Sequence, residues 1–597
     1  MPTFKRQDQE QIEKAKDLLE NGAVGEMGFV KSLFFGRLAL HDVFPYPRQD
    51  RLEADRVSEL MGKLEPFLKD KVDPDRIDAE ERIPTDVIEE LGKLGVLGLT
   101  VPKEFGGGGF SHTAYCRVLE RISQHCASTA VLVGAHQSIG LKALVLMGTQ
   151  EQKQEFLPDL ASGKKLAAFC LTEPEAGSDA ANVQTRATPS SDGRYFILNG
   201  HKKFATNSAL AGMMTVMAKM PIGENGNTRE KVTAFLVTPD LPGFEVVSHN
   251  RSKMGIRGSW QGTLRFNDMK VPAERILGLP GKGLKVALSV LDYGRCTLSA
   301  GCVGGARKAL ELTIDRAKSR QQFGRHLADF HLVKEKIANM AQTLFAMESL
   351  TYLCAGLVDR HAGDIMLETA ISKLFCSEGL WRIVDDCLQT WGGEGYMRDN
   401  GIERMMRDAR INRIVEGATE VMSAFVALAG MKGVGEEFEA VLRASRHPIG
   451  NFGRLARFAR DEWRDVIWGA KPVHLHPRLH PQAKTLANLS THFGRSVSRL
   501  LMKYRENILD MEMLQSRIAW SAIDLYASAA VLSRLQMMLD TQTQGQPNSP
   551  TLERDLLVGT SFCNAAAMRT TQRLRSLFNN GDAELIRVAD CVCDVHN

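Results

Sequence analysis

The chain has 597 residues, 44% hydrophobic and 24% charged, with a formal net charge of +4 and a pI near 8.4. The balance is that of an ordinary globular protein, and the length calls for several packed units rather than one. The charge is too mild for a nucleic-acid partner, and 11 scattered cysteines fit reduced thiols better than a disulfide framework.

From Met1 to Glu20 both charge signs alternate without the apolar stretch of a signal peptide. No apolar run reaches the roughly 18 residues needed to cross a bilayer, so membrane contact is expected to be peripheral. The expected location is the cytoplasm or the inner face of a membrane, or the mitochondrial matrix for a processed eukaryotic chain. After an N-terminal extension (1–50), Val57, Leu60, Met61, Leu64 and Phe67 recur at helical spacing, as do Leu91, Leu94 and Leu97. These predict a helical domain over 51–165. The Gly106 to Gly109 run lacks the Lys-Ser/Thr ending of a phosphate loop and reads as a turn.

From Leu166 the texture changes to short β-rich runs (Leu166–Leu171, Tyr195–Leu198, Met213–Met217, Val232–Val237, Thr263–Phe266) separated by turns such as Asp192-Gly193. They predict a central antiparallel β domain over 166–282. Helical patterns return over Val303–Ala317, Leu332–Ala355 and Glu368–Gln389, long enough for a bundle spanning 283–432. A basic linker (433–482) and a C-terminal helical domain (483–597) complete a multidomain α+β chain. Cys591, Cys593 and His596 cluster at the tail but fall short of a four-ligand metal set, and no metal is expected.

The chemistry lies in four motifs. Phe169-Cys-Leu-Thr-Glu-Pro-Glu-Ala-Gly-Ser-Asp179 opens the β section, and Arg404 to Glu420 closes the bundle with Ile-Val-Glu416-Gly-Ala-Thr-Glu420. Between them stand Arg320-Gln-Gln-Phe-Gly324 and Gln389-Thr-Trp-Gly-Gly-Glu-Gly-Tyr396. In this order, on an α-β-α layout, they resemble the signatures of the acyl-CoA dehydrogenase family. His476-Pro-Arg-Leu479, Ala522 to Ala527 and Phe44-Pro-Tyr-Pro47 resemble its very-long-chain branch, which carries an extra C-terminal domain.

The resemblance implies FAD-dependent α,β-dehydrogenation of a long-chain acyl-CoA, with electrons leaving to an electron-transferring flavoprotein. Such chemistry needs a carboxylate at the α-hydrogen, a polarised thioester carbonyl and a flavin ring facing the β-carbon. Glu416 is implied as the base, a buried glutamate being pushed toward the pKa a general base wants. Its N–H would form an oxyanion hole with a flavin hydroxyl, and Gly417 would allow close backbone approach. Some family members carry the base at the position of Gly294 in Asp292-Tyr-Gly-Arg295, where glycine cannot serve. Asp292, Arg295 and Ser178 are assigned to the substrate site. Phe169, Leu171, Thr172, Gly177, Ser178, Phe204, Ala205 and Thr206 are assigned to the flavin. Arg320, Phe323, His331, Gln389, Gly392 and Gly393 would reach the pyrophosphate and adenine of a neighbouring subunit's FAD, which implies a homo-oligomer, a dimer for this branch.

Departures are Phe204 for a common tryptophan, His331 for a common glutamine, and Ala418 for a common threonine whose hydroxyl would reach the flavin's ribose or phosphates; Ala418, Thr419 and Glu420 are all assigned to the cofactor by the resemblance. Gly134, Ala135 and Gly140 are small where bulk would stop an acyl tail; close helix packing explains them equally well. Between Arg443 and Arg478 stand eight Lys/Arg against three Asp/Glu, with Arg454, Arg457, Arg460 and Arg464 opposite Phe452, Leu455, Phe458, Trp463 and Ile467. This basic amphipathic pattern fits a membrane surface, or a helix packed on its own subunit. An acyl-CoA oxidase, or an assembly protein that retains the fold, are the alternatives left open.

Overall fold

The computed structural model describes residues 27–224, 227–445, 470–471, 473–542 and 549–595. Helix starts follow local chemistry. The Asp50 carboxylate accepts from Glu53 N to open Arg51–Lys71, and Ser111 accepts from Ala114 N to open His112–His125. Thr149 and Gln152 form a reciprocal capping box at Gln150–Ala161. The Gly106–Gly109 run is a folded turn, its four N–H groups spent on the Lys103, Pro102, Gly98 and Val101 carbonyls.

The β domain is an eight-stranded sheet. Its strands are β1 (Leu166–Cys170), β2 (Arg186–Pro189), β3 (Tyr195–Ala205), β4 (Ala211–Glu224), β5 (Asn227–Val237), β6 (Phe244–His249), β7 (Gly262–Pro272) and β8 (Ile276–Leu277). The order is β6-β7-β3-β2-β4-β5-β8, with β1 on β4. The sheet is mixed rather than purely antiparallel, because β1 and β2 both pair parallel to β4. Local alternation marks strands but says nothing about direction, which the long connections decide.

The 37-residue helix Gly283–Ser319 is the spine. It packs against Met366–Trp391, His112–His125 and His331–Asp359, and so touches both the N-terminal domain and the bundle. Met366–Trp391 is one-sided only in its C-terminal part, where Arg382, Asp385 and Gln389 are exposed; Leu367 to Leu380 are buried without a break. The helix is packed by Gly283–Ser319, His331–Asp359, Ile402–Arg410 and Thr419–Ser445, and the C-terminal domain in turn covers His331–Asp359 and Thr419–Ser445. Residues of Glu512–Asp540 and Pro550–Arg575 share one core with the bundle and with Phe29, Val30, Leu33 and Phe34. The described part of the expected N-terminal extension, residues 27–50, is therefore structural. Tyr46 donates to the Ser349 carbonyl at 2.9 Å. Phe44 to Pro47 line a cleft of about 630 Å³ with Gly356, Gln536 and Met537.

One helical stretch, Ala127–Met147, does meet the length and hydropathy of a membrane span, against the sequence expectation. It is interrupted by buried polar groups with partners: His136 bridges the Leu160 carbonyl and Ala167 N, and Gln137 donates to the Val96 carbonyl. Arg454 to Trp463 and most of the basic stretch lie outside the described residues.

Candidate active site

Glu416 follows the short turn after helix Ile402–Arg410, and helix and turn are each pinned by an arginine. Arg407 grips Asp78 with both guanidinium nitrogens at 2.9 and 2.7 Å, and Arg413 donates to Glu378 at 2.6 Å. The chain then turns left-handed, with φ of +58° at Glu416 and +100° at Gly417. A non-glycine residue pays for this conformation with about 1–3 kcal/mol of strain, so the surroundings must impose it. A Cβ on Gly417 would stand 2.5 Å from Met422 Sδ, at a φ that side-chain-bearing residues rarely adopt.

The turn aims the Glu416 carboxyl at Gly294, on the spine helix. A Cβ on Gly294 would lie 2.6 Å from Glu416 Oε2 and 2.9 Å from both Oε1 and Ile139 Cγ2. The carboxyl thus fills the space a side chain would need. Oε2 is buried with no hydrogen-bond partner among the described residues. Burial pushes this carboxyl up to about 7, against the pull of Arg295 and Lys373. Arg295 is buried and donates to Asp292 at 3.3 Å; Asp292, raised by burial, also accepts from Thr369 at 3.1 Å. Lys373 Nζ donates to the Gly417 carbonyl at 2.6 Å.

Ile139 joins this centre to the β domain. It packs on the same apolar cluster as Phe169 and Leu171, beside the spine residues Val286 and Val290. Leu171 and Thr172 follow β1, held by the adjoining strand: Lys202 donates to the Leu171 carbonyl at 3.0 Å and Lys203 N to the Thr172 carbonyl at 2.9 Å. Lys202 is itself locked in a buried ion pair with Glu173 at 2.6 Å. Burial alone would raise Glu173, but Lys202, Thr185 and Gln184 together hold it below the usual carboxylate range. At the end of β3 the register with β7 shifts between Lys202 and Ala205. Phe204 sits there at φ +58° and 53% exposed, as a bulge turns a side chain out of its ladder. Ala205 is buried beneath it and Thr206 is half-buried.

Three comparisons decide the family. The N-terminal, middle and C-terminal domain models of acyl-CoA dehydrogenase match residues 56–164, 168–269 and 281–431. The chain belongs to the acyl-CoA dehydrogenase family. The ACAD9/ACADV C-terminal domain model matches residues 477–597. The very long-chain specific acyl-CoA dehydrogenase of Mus musculus is 38% identical over 92% of this chain and 84% of that protein. Probable acyl-CoA dehydrogenase FadE10 of Mycobacterium tuberculosis is 33% identical over 95% and 88%. The crystal structure of an acyl-CoA dehydrogenase complexed with FAD from Bacillus anthracis superposes with a TM-score of 0.76 at 29% identity, covering 94% of both chains. Butyryl-CoA dehydrogenase from Megasphaera elsdenii, at TM-score 0.59 and 33% identity, covers 63% of this chain and 97% of its own.

This acyl-CoA dehydrogenase is an FAD-dependent enzyme, and its residues fit the cofactor. The half-exposed Phe204 offers an apolar ring face, Thr172 and Thr206 offer hydroxyls, and a Cβ at Gly177 would meet nothing within 4 Å. Ser178 is exposed beside Gly177. The second group of assigned residues lies open on the surface. Phe323 is 93% exposed, Arg320, His331 and Gln389 are exposed, and Gly392 and Gly393 have open space where a Cβ would stand. Thr419 is already committed, donating to Glu378 at 2.9 Å; Ala418 is half-buried and Glu420 exposed. On the acyl side, a Cβ at Gly134 would meet only Leu119 Cδ2 at 3.8 Å, whereas one at Gly140 would strike Ala135 O at 2.8 Å and Ala167 at 2.9 Å. Gly140 is explained by close packing on β1, while Gly134 and the half-buried Ala135 border space.

Lys373, Ile139 and Glu378 escaped the sequence reading, since each acts through a contact distant in the chain. The same holds for His112, Cys116 and Cys296, whose ligand-type atoms lie within 4.8 Å of one another in the core. They number one short of a structural zinc set, and Cys296 Sγ lies 3.9 Å from the Thr351 carbonyl, within reach of a thiol hydrogen bond.

Proposed function

We propose that the enzyme converts long- or very-long-chain acyl-CoA to the trans-2-enoyl-CoA in fatty-acid β-oxidation and passes its electrons to an electron-transferring flavoprotein. One observation carries the reading. Glu416 Oε2 is buried and, among the described residues, without a partner, and the carboxyl lies against a glycine that leaves no rival side chain at its place. With its carboxyl pushed up to about 7 by burial, Glu416 has the basicity to take the α-proton of the thioester. Its strained turn presents the backbone N–H for the thioester oxygen. Arg295, seated on Asp292, steadies the negative charge that develops. Phe204 and Ile139 keep water from the reacting carbons. Thr172, Thr206 and the neighbouring backbone would hold FAD, which would supply the acceptor for the β-hydride.

The length preference is supported by the space at Gly134, each added methylene contributing about 0.8 kcal/mol on burial, and by the C-terminal domain match. The solvent-exposed Arg320, Phe323, Gln389 and Gly393 support a homodimer in which each subunit completes its partner's FAD site. The basic, tryptophan-bearing stretch between Arg443 and Arg478 supports peripheral contact with the inner face of a membrane, where long acyl-CoA partitions.

The test is anaerobic bleaching of the flavin by saturated acyl-CoAs of graded length. The rate constant per bound substrate and the affinity should favour the long chains; fastest turnover of a four-carbon thioester would overturn the length assignment. Reoxidation of the reduced enzyme should be slow in air and fast with electron-transferring flavoprotein, and the reverse would make it an oxidase.

A further inference from the structure

We propose that Lys373 is a positioning residue for Glu416, holding the Glu416–Gly417 turn by the Gly417 carbonyl and presenting its cation to the Glu416 carboxyl. This inference rests on the assignment of Glu416 as base. Lys373 lies in the middle of helix Met366–Trp391 with no exposed surface. Burying an ammonium costs several kcal/mol unless its charge is used. Its hydrogen bond goes not to a carboxylate but to the Gly417 carbonyl, at 2.6 Å. That carbonyl belongs to the residue at φ +100°, directly after the strained Glu416, so the bond clamps the turn where it would otherwise relax.

The two helices flanking Glu416 bring one cation each: Arg295 from the spine and Lys373 from Met366–Trp391. They are not equivalent. Arg295 shares its charge with Asp292 at 3.3 Å. Among the described residues Lys373 has no salt bridge, and the groups facing it are Glu416, Cys302, Arg295 and Glu378. Of these, Glu378 is engaged by Arg413 and Thr419, which leaves Glu416 as the carboxyl without a bond of its own. Burial pushes the Lys373 ammonium down to about 8, against the pull of Glu416 and Cys302. Removing the cation leaves burial to raise Glu416 further. The base is then ionised only at higher pH, and activity is lost on the acid side.

The experiment is the pH profile of substrate-dependent bleaching for the parent holoenzyme, Lys373→Gln, Lys373→Met and Lys373→Arg, with flavin content and Tm alongside. In both uncharged variants the acid limb should move up by about one pH unit, a roughly ten-fold loss of rate below pH 7. Lys373→Gln, which keeps a donor for Gly417, should lose less of the alkaline plateau than Lys373→Met. Lys373→Arg should hold the acid limb in place. An acid limb for Lys373→Gln that superimposes on the parent overturns the proposal. So does loss of flavin from all three variants, because a residue acting on one turn leaves the flavin site intact. A parent enzyme that no acyl-CoA bleaches would instead defeat the assignment of Glu416 itself.

Discussion

The two halves of the site are finished to different degrees by one chain. Around Glu416, three elements more than a hundred residues apart close on a carboxyl until even a methyl group on Gly294 has no room. Around Arg320 and Phe323, side chains with the chemistry for a pyrophosphate and an adenine stand in solvent, and Gly392 and Gly393 offer bare backbone. The contrast teaches where burial is needed. A general base gains its strength from desolvation, which the subunit's own core supplies. A charged, soluble cofactor tail needs open surface, which a second surface can cover later.

The sharpest way to break this contrast is Glu416→Gln. Substrate-dependent bleaching should fall by about 10³-fold, within the span of general base catalysis, while flavin content stays at the parent level; unchanged bleaching would remove the base from Glu416. In the parent, the rate should rise as pH increases through about 7, because the carboxyl must lose its proton to act. Next is Gly294→Ala. Its Cβ must displace a carboxyl 2.6 Å away, and a shift near 1 Å costs about 10²-fold in rate. Stopped-flow bleaching with unchanged flavin absorbance would check it. Arg320→Gln should act on the open half only: about ten-fold weaker flavin retention, worsening on dilution, with the bleaching rate per bound flavin kept. One charge-assisted hydrogen bond supports that magnitude. Retention independent of protein concentration would argue against a shared site. The smallest effect is expected from Thr419→Val, which deletes the bond to Glu378 and should cost about 1 kcal/mol in Tm-derived stability without loss of flavin.

Much of the fold could be read from periodicity. The helix Arg51–Lys71 and the strands around Met213–Met217 and Val232–Val237 stand where their patterns place them. Strand direction could not be read, because alternation looks alike whichever way β1 runs beside β4. Nor could the unbroken burial of Leu367 to Leu380, since the segments packed on that helix include Phe29–Phe34 from far earlier in the chain. Glu416 stood out within its motif, whereas Lys373 carried no local sign: a lysine inside a helical pattern looks the same whether it faces solvent or a catalytic turn.

What the amino-acid order determined by itself was the inventory: the family, its reaction type, and a glutamate followed by a glycine in a chain with glycine at the rival position. Only tertiary packing decided that this carboxyl loses water, meets Arg295 and Lys373 from two helices, and rises to about 7. The reason is physical. Residue identity sets which groups can ionise, but desolvation and the field of neighbouring charges depend on distances that the linear order does not contain.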